Sequence, residues 1–436
     1  MHVCAEGGLS MESIDTLLGL EDLRSTGIEV RPDENGSESI HVNCLPVRKP
    51  SCPVCGSKYC YVDKYSTRTV QDLECSGKKV FLHVETIRYS CQEPVPGNPQ
   101  EHCGKTFQAD VEMIAKKARV TKRFRNVLAE EALSIPFLKV AEAYSVSNMT
   151  VKRSFEEYLE EKEQWKKENF YCPTGIGIDE NHLNGQYCLV VTDNDQNTLL
   201  DIFDNKDPET VRDVLQELKN KNNLQYVTMD LCAEYRSAVK EVFGQKVAVI
   251  ADHYHVQKLV NDAMMATRKN LVEAMPANKR SGTKYNANLL KKNLENLTDY
   301  DKERMARSFK AIPGSDMTYA LKEAFRSIYS YTSRESAEKA FERFCKEIPE
   351  EEAFEPFRKL CRTIRQWHKE VFNYFDYDRA SNGFTEAVNG IISGRNAQGN
   401  GYSFPILRGL ALYGKGNTAF RPSAQGKRKQ VLPKKL

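Results

Sequence analysis

Three acidic residues of this 436-residue chain, Asp179, Asp230 and Glu386, are the side chains best suited to metal chemistry. Asp179 and Asp230 each end an apolar run that is typical of a strand, and Glu386 lies in a later helix-like stretch. Carboxylate oxygens are the ligands that Mg²⁺ prefers, and three carboxylates can hold two ions with room left for phosphate and water. Acids at strand ends also cap helices, so the prediction depends on all three residues reaching one place.

A second polar cluster follows the apolar residues 247–251 in the stretch VAVIADHYHVQKLV. Asp252 ends that predicted strand, and His253 and His255 come directly after it. Three roles are open for Asp252: a metal ligand, a support for a metal held by other acids, or the N-cap of the next helix. Because the predicted strand lies beside the strand of Asp230, we expect Asp252 and His255 to support the site. His253 and Trp367 are expected to be structural.

The cysteines predict a structural metal site between residues 52 and 107. Cys52-Pro-Val-Cys55-Gly places two thiolates on a tight knuckle, and Cys91 and Cys103 supply a second pair. Four thiolates complete a tetrahedral Zn²⁺ site and leave no open position for chemistry. The sequence therefore predicts a zinc ribbon.

Other residues of the same stretch have different expected roles. His102 is an alternative zinc ligand. Cys60 and Cys75 fall within the predicted strands, where we expect them to be buried as small apolar residues. The chain has 13 cysteines and residues 1–25 lack a signal-peptide core, which indicates a reducing compartment where paired cysteines bind metals.

The overall composition excludes some classes of protein. Apolar residues make up 40% and charged residues 28% of the chain, as in a soluble globular protein, and no stretch approaches the ~18 apolar residues of a membrane span. We therefore expect a cytoplasmic protein. The net charge of +3 argues little, but the stretches 116–125 and 426–436 are strongly basic, which is typical either of solvated faces or of contacts with nucleic acid.

Residues 137–159 have the pattern of a helix-turn-helix. A short helix is predicted at 137–144, and after a turn at 145–147 a second helix carries Thr150, Lys152 and Arg153 on its early turns. Those turns are where a recognition helix meets base edges and phosphates. The alternative is an ordinary helical hairpin, but the zinc ribbon upstream and the neighbouring basic residues favour DNA binding.

The elements after a linker at 171–175 predict how the acids come together. Three antiparallel strands followed by alternating helices and strands are the order of a ribonuclease-H-like core, in which the strands of Asp179 and Asp230 are neighbours. Both carboxylates would then lie at the same edge of the sheet. Residues 253–375 read as wholly helical. The predicted strands are 175–180, 186–193, 197–203, 224–230 and 247–251, with a hairpin turn at Asn184-Gly185 and helices at 208–220, begun by Asp207-Pro208, and 233–243.

Several of these stretches resemble one family. The segments LLGLEDL, CPVCG, VTMDLCAEYRSAV, ADHYHVQKLV and SNGFTEAVNGIIS are similar to the signatures of DDE transposases of the ISL-three insertion-sequence family, in the family's order, from about residue 14 to 413. The resemblance implies that Asp179, Asp230 and Glu386 are the catalytic acids. It also relates Asp252 and His255 to a D-x-x-H pattern of transposases with a helical insertion. Asn382 and Asn389 are expected to contact DNA or to order Glu386.

The resemblance implies an activity with its cofactors and partners. The enzyme would bind double-stranded DNA at the terminal inverted repeats of a mobile element, cut it, and join it to target DNA. Mg²⁺ or Mn²⁺ would act at the acidic triad and Zn²⁺ would be structural. We expect a homo-oligomer on DNA, no membrane contact, and a bacterial, nucleoid-associated protein.

The predicted fold class is multidomain α+β, with an N-terminal zinc ribbon, a helix-turn-helix and a ribonuclease-H-like core interrupted by an all-helical insertion. Two other functions stay open: an inactive or domesticated relative that regulates DNA by binding it, and a zinc hydrolase that uses Asp252, His253 and His255. The predicted segments are an N-terminal segment (1–50), the zinc ribbon (51–109), the helix-turn-helix domain (110–170), the two parts of the core (171–252 and 379–415), the helical insertion (253–378) and a basic tail (416–436).

Overall fold

The computed structural model describes residues 11–421, except 33–35, 49, 116–117, 281–282, 284–286, 400, 415 and 417. The chain divides into two compact units, Met1–Glu161 and Lys162–Leu436. Three stretches lie outside the described residues: residues 1–10, the basic stretch 426–436, and the first two residues of the basic stretch 116–125. None of the helices in the described ranges is long and apolar enough to cross a membrane.

The first unit is rich in strands at its start and helical at its end. Its strands are β1 (Leu23–Pro32), β2 (Glu38–Pro46), β3 (Cys60–Cys75), β4 (Lys78–Cys91), β5 (Pro94–Val95), β6 (Asn98–His102) and β7 (Thr106–Gln108). Its helices are α1 (Met11–Leu18), α2 (Lys122–Ala132), α3 (Phe137–Tyr144) and α4 (Asn148–Asn169), the last residues of which belong to the second unit.

The main sheet of the first unit has the order β1-β2-β4-β3, and β7 pairs with β4. One face buries Val42, Val70 and Leu82 against Leu18 of α1, so the strands of 23–46 and 60–91 share one apolar core. In β4, residues 80, 82 and 84 are buried and the residues between them are half-buried, which is the pattern of a sheet with one covered face. Helix α1 ends at Leu18, because Gly19 takes a left-handed φ of +59° and the chain then enters β1.

Three helices close the first unit. Pro136 precedes α3, and the turn predicted at residues 145–147 is confirmed, because it separates α3 from α4. Ser145 ends α3 in a left-handed conformation with φ of 50°, and its N–H bonds back to Ala141 O and Glu142 O. Phe124, Phe137 and Phe155, one from each helix, are buried.

The second unit places a sheet among helices. Its strands are β8 (Gly175–Leu183), β9 (Gln186–Asp193), β10 (Thr198–Phe203), β11 (Tyr226–Met229) and β12 (Ala248–Ala251). Its helices are α5 (Pro208–Glu217), α6 (Ala233–Phe243), α7 (His253–Ala274), α8 (Asp299–Ala311), α9 (Ser315–Ile328), α10 (Arg334–Glu347), α11 (Glu355–Gln366), α12 (His368–Phe372), α13 (Gly383–Gly399) and α14 (Phe404–Tyr413).

The sheet of the second unit has the order β10-β9-β8-β11-β12. β8, β9 and β10 are antiparallel neighbours, whereas β11 is parallel to both β8 and β12. The ribonuclease-H-like order predicted from the sequence is therefore confirmed. β8 is central, and its residues 175–179 are all buried, as expected for a strand covered on both faces.

Two apolar clusters divide the second unit. The first packs the sheet against α5, α6, α13 and α14, with Ile176, Val211 and Val388 among its fully buried members. The second is built from the helices α7 to α12, which confirms the helical block predicted for 253–375.

Local turn chemistry explains two connections. Asn184 and Gly185 both have positive φ, 50° and 85°, which is the conformation that an Asn-Gly hairpin turn requires. Asp207 stands at the N-cap of α5, as predicted, but its side chain makes no bond to the helix backbone and instead accepts a hydrogen bond from Asn205 Nδ2 at 2.8 Å.

Candidate active site

The parallel strands of the second unit align three aspartates. Ile178 of β8 lies beside Met229 of β11, and Met229 lies beside Ala251 of β12. The residue that follows each of these three along the chain is an aspartate: Asp179, Asp230 and Asp252. Backbone register alone therefore brings three acids to one level of the sheet. The sequence predicted the first two at this edge and placed Asp252 at the end of the strand beside that of Asp230.

Asp179 does not end its strand, which corrects the sequence prediction. β8 continues to Leu183 because its hairpin with β9 is longer than the apolar pattern indicates. Asp179 is buried, with 7% of its surface exposed. Its Oδ1 accepts a hydrogen bond from Glu180 N at 2.8 Å, and its Oδ2 accepts one from Asn389 Nδ2 at 2.8 Å.

Glu386 approaches this edge from helix α13. It lies in the first turn, is half-buried, and its N–H bonds to Asn382 O at 3.1 Å. Helix α13 can pack closely on β8 because residue 177 is glycine. A Cβ at this position would lie 2.4 Å from Thr385 Oγ1 and 2.6 Å from Asn382 Oδ1.

The acids influence one another electrostatically. Burial, and then the charge of Asp230, raise the pKa of Asp179 to about 7, and Glu386 contributes in the same direction. Burial raises the pKa of Glu386 as well, together with the charges of Asp252 and Asp230 and against that of His255. Buried acids that repel one another in this way are typical of sites that hold a cation or move a proton.

Asp252 caps helix α7 and also ties together the elements around the site. Its Oδ2 accepts from His255 N at 3.3 Å, and its Oδ1 accepts from Asn382 N at 2.9 Å. Burial acts to raise the pKa of this carboxyl, but the hydrogen bonds from His255 and Asn382 hold the pKa below its usual value. The side chain therefore acts as a helix cap and also connects α7 to the start of α13.

His255 bridges two of the acids. Its Nδ1 lies 2.7 Å from Asp230 Oδ1 and 3.3 Å from Asp252 Oδ2. These contacts, with Asp230 first, raise the pKa of His255 to about 10, so the imidazole is protonated at neutral pH. The three residues bring ligand atoms within 4.8 Å of one another. Such spacing would also suit a metal ion.

The first unit contains a second cluster, of four cysteines. Cys52, Cys55, Cys91 and Cys103 have sulfur atoms within 4.8 Å of one another, with 3.9 Å between Cys52 and Cys103 and 3.5 Å between Cys55 and Cys91. Tetrahedral Zn²⁺ with Zn–S bonds of about 2.3 Å requires S–S distances of about 3.8 Å. The four sulfurs therefore have the spacing that zinc needs.

Backbone hydrogen bonds hold both pairs of cysteines, within a tight turn for Cys52 and Cys55 and across a longer loop for Cys91 and Cys103. Gly56 N donates to Cys52 O at 2.8 Å, and Gly104 N donates to Cys91 O at 3.1 Å. Both glycines have positive φ, 74° and 61°. Backbone N–H groups, that of Cys55 first, lower the pKa of the Cys52 thiol to about 7, which favours the thiolate that binds metal.

Models of known families match the regions that contain the acids and the cysteines. A family model of ISL-three DDE enzymes, described as "Transposase", matches residues 176–408, more than half of the chain and all three acids. A second model, described as "zinc-finger of transposase IS204/IS1001/IS1096/IS1165", matches residues 48–93.

The chain belongs to the ISL-three family of DDE transposases.

No curated protein matches its sequence. The zinc-finger match ends ten residues before Cys103, and the fold of this transposase is what brings that fourth cysteine to the other three.

Three other residues of the cysteine region lie outside the cluster of four. In the transposase, Cys60 begins β3 and Cys75 ends it, and both are half-buried. Cys75 packs against the apolar core of the sheet. His102, the alternative zinc ligand, is exposed at the end of β6 and is not one of the four clustered ligands.

The predicted DNA-contacting residues lie at the start of α4. Arg153 is exposed, while Thr150 and Lys152 are half-exposed. Thr150 N also donates to Ser147 Oγ at 3.1 Å, which closes the turn before the helix. Two cations of the basic stretch are instead used within the fold of the transposase, since Arg123 pairs with Asp72 and Arg125 with Glu157.

His253 and Trp367 have the structural environments predicted for them. Burial lowers the pKa of His253, whose ring packs 4.1 Å from that of Tyr329 in the helical block of the transposase. Trp367 is 7% exposed, with the Arg236 guanidinium 4.0 Å above its ring.

Asn382 and Asn389 were expected either to contact DNA or to order Glu386. In the transposase Asn389 donates directly to Asp179, and Asn382 Nδ2 donates to Ile178 O at 2.9 Å. Asn382 Oδ1 also accepts from Thr228 Oγ1 and Thr385 Oγ1. The available signal was spacing: Asn382, Glu386 and Asn389 are four and three residues apart, which puts them on one face of a helix.

Proposed function

We propose that this transposase binds the terminal inverted repeats of an insertion sequence, cleaves the DNA strands there, and transfers them to target DNA with the help of divalent metal ions. The observation that carries the proposal is the alignment of Asp179 and Asp230 at one sheet edge, with Glu386 on the helix packed against it. These three acids lie within the segment that matches the transposase family model.

The acids fit hard divalent cations. Their ligand atoms are carboxylate oxygens, and burial with mutual repulsion raises the pKa of Asp179 and Glu386. Mg²⁺ or Mn²⁺ held there would activate the attacking oxygen and stabilise the leaving oxygen. Asp179 and Asp230 would ligate from the sheet and Glu386 from the helix.

Residues around the acids would keep them in place. Asp252 holds His255 and the start of α13, and His255 contacts Asp230. Replacing Asp252 or His255 should therefore disturb the geometry of the site or the placement of the DNA end, rather than remove a metal ligand.

DNA recognition would take place in the first unit. Helices α3 and α4 supply a helix-turn-helix, with Thr150, Lys152 and Arg153 at the start of its second helix. The four cysteines would hold a structural Zn²⁺ that stabilises the β-rich part of the unit. Assembly of two or more copies on DNA would bring both ends of an element together.

The test separates cleavage from binding. Asp179→Asn, Asp230→Asn and Glu386→Gln should each reduce Mg²⁺-dependent cleavage of a labelled terminal repeat by orders of magnitude and leave binding of that repeat intact. The losses should not add, because ligands of one site act as a unit.

The matched control is Asp193→Asn. Asp193 is also buried in this sheet, and burial raises its pKa to about 6, but it pairs with Ile176 near the start of β8 and holds a turn. This variant should still cleave. Full cleavage by Glu386→Gln would refute its role as a ligand, and binding without cleavage by the unmodified protein would favour an inactive regulator.

A further inference from the structure

We infer that Asn389 is a positioning residue that fixes the carboxylate of Asp179 and, with it, the placement of Glu386. The inference rests on the function proposed above, because it concerns how the proposed metal ligands are held. Asn389 itself would touch neither DNA nor the reacting atoms.

Two hydrogen bonds hold the carboxylate of Asp179, one on each oxygen. Asn389 Nδ2 donates to Asp179 Oδ2 at 2.8 Å, while Glu180 N donates to Asp179 Oδ1 at 2.8 Å. Each carboxylate oxygen has two lone pairs, so one acceptor position on each oxygen stays available for an ion. Two donors on the two oxygens also fix the rotation of the carboxylate, which a single backbone donor would not do.

Hydrogen bonds from the two asparagines also fix the register between helix α13 and strand β8. Asn389 Nδ2 also donates to Glu180 O at 3.2 Å, and Asn382 Nδ2 donates to Ile178 O at 2.9 Å. The two asparagines therefore bind the carbonyls on either side of Asp179. Glu386 lies between them in the sequence, so sliding α13 along β8 would break both bonds as it moved Glu386.

The oxygen of the Asn389 side-chain amide is also informative. Asn389 Oδ1 is buried and has no hydrogen-bond partner among the described residues. Buried amide oxygens are normally paired, so an unpaired one needs a partner that the polypeptide does not supply. A water molecule at the proposed ion site would be such a partner.

The experiment compares two variants of the full-length protein that each remove hydrogen bonds between α13 and β8. Asn389→Leu keeps the side-chain volume and removes the bond to Asp179. Asn181→Ala removes two bonds to α13, from Asn181 Nδ2 to Asn389 O at 3.1 Å and from Ser393 Oγ to Asn181 Oδ1 at 3.3 Å, and leaves the Asn389 side chain in place. Both variants are compared with Asp179→Asn in a Mn²⁺ titration followed by electron paramagnetic resonance, and thermal unfolding is measured in chelator.

Asn389→Leu should weaken Mn²⁺ binding by about 10- to 100-fold and alter the Mn²⁺ spectrum, as expected when a partner of a metal ligand is lost. Asn181→Ala should lower thermal stability to a similar extent without weakening Mn²⁺ binding. If Asn389→Leu does not fold, Asn389→Ser, whose side chain is too short to reach Asp179, takes its place with the same expectation.

Two results would overturn the inference: normal Mn²⁺ binding by the Asn389 variants, or equal weakening by Asn181→Ala. A third result is distinct from these. If Asp179→Asn binds Mn²⁺ as tightly as the unmodified protein, the proposed metal site is wrong, and the inference fails with it.

Discussion

Replacing Arg408 with methionine should destabilise the second unit by about 3–5 kcal/mol at neutral pH. The guanidinium donates to both oxygens of Asp201, at 2.6 and 2.8 Å, and to both oxygens of Glu163, at 2.8 and 3.2 Å. It thus joins the last turns of α4 to strand β10 from its position on α14.

The magnitude follows from burial. The side chains of Asp201 and Glu163 are 17% and 31% exposed, so removing the cation leaves two largely desolvated carboxylates. Breaking such a pair typically costs about 3–5 kcal/mol. Lys166 remains 2.6 Å from Asp201, and Tyr413 still donates to Glu163 at 2.7 Å, which favours the lower end of this range.

The loss should depend on pH in a defined direction. Burial acts to raise the pKa of Asp201, but Lys166 and Arg408 outweigh it and hold the pKa below its ordinary value; Arg408 and Tyr413 do the same for Glu163. Acids with a lowered folded-state pKa stabilise the protein above their unfolded pKa, about 4, and lose that contribution as pH falls. The effect of Arg408→Met should therefore be complete near pH 7 and shrink below about pH 4.

The assay is urea unfolding followed by the fluorescence of Trp165, which packs against Phe420 beside Lys166. A Trp367→Phe background removes the only other tryptophan. The matched control is Arg362→Met, which breaks an exposed pair with Glu355 and should cost less than about 1 kcal/mol. The reasoning is refuted if Arg408→Met costs no more than this control, or if its effect grows as pH falls.

Three further predictions concern the other parts of the protein. Cys52→Ser should reduce bound zinc from about one ion per chain to none, measured by metal analysis, and make residues 50–107 sensitive to protease; a folded protein that never contained zinc would contradict this. Arg153→Ala should weaken binding of the terminal repeat and lessen its salt dependence, measured by titration at several salt concentrations, whereas unchanged affinity would leave α3 and α4 as an ordinary hairpin. Gly177→Ala should lower the free energy of unfolding by about 1–3 kcal/mol and impair cleavage, because the new Cβ would collide with Thr385 of α13. Gly390→Ala, which lies in α13 with open space around it, should do neither.

Local patterns in the sequence were enough for most elements of the second unit. Helix α6 begins and ends at the predicted residues, and the Asn184-Gly185 turn has the predicted conformation. These features depend on short-range causes, namely the alternation or helical period of apolar residues and the freedom of glycine and asparagine at positive φ.

The first unit was harder to predict. Strands β3 and β4 are 16 and 14 residues long, and residues 61–67 of β3 are all exposed, so apolar alternation marks only the end of that strand. The parallel pairing of β2 with β4 joins segments about 40 residues apart, such as Ile40 and Val80. No local signal encodes such a pairing, since it depends on which faces can be buried together.

Residue types and their spacing identify the groups that carry the chemistry: four cysteines in two pairs, and acids placed after apolar strands. How these groups meet depends on the tertiary structure. Strand register made Asp252 a third acid level with Asp179 and Asp230, and helix packing over Gly177 brought the Asn389 amide onto Asp179. Residue type and local period are properties of the chain, whereas contact between residues 210 positions apart exists only once the core has packed.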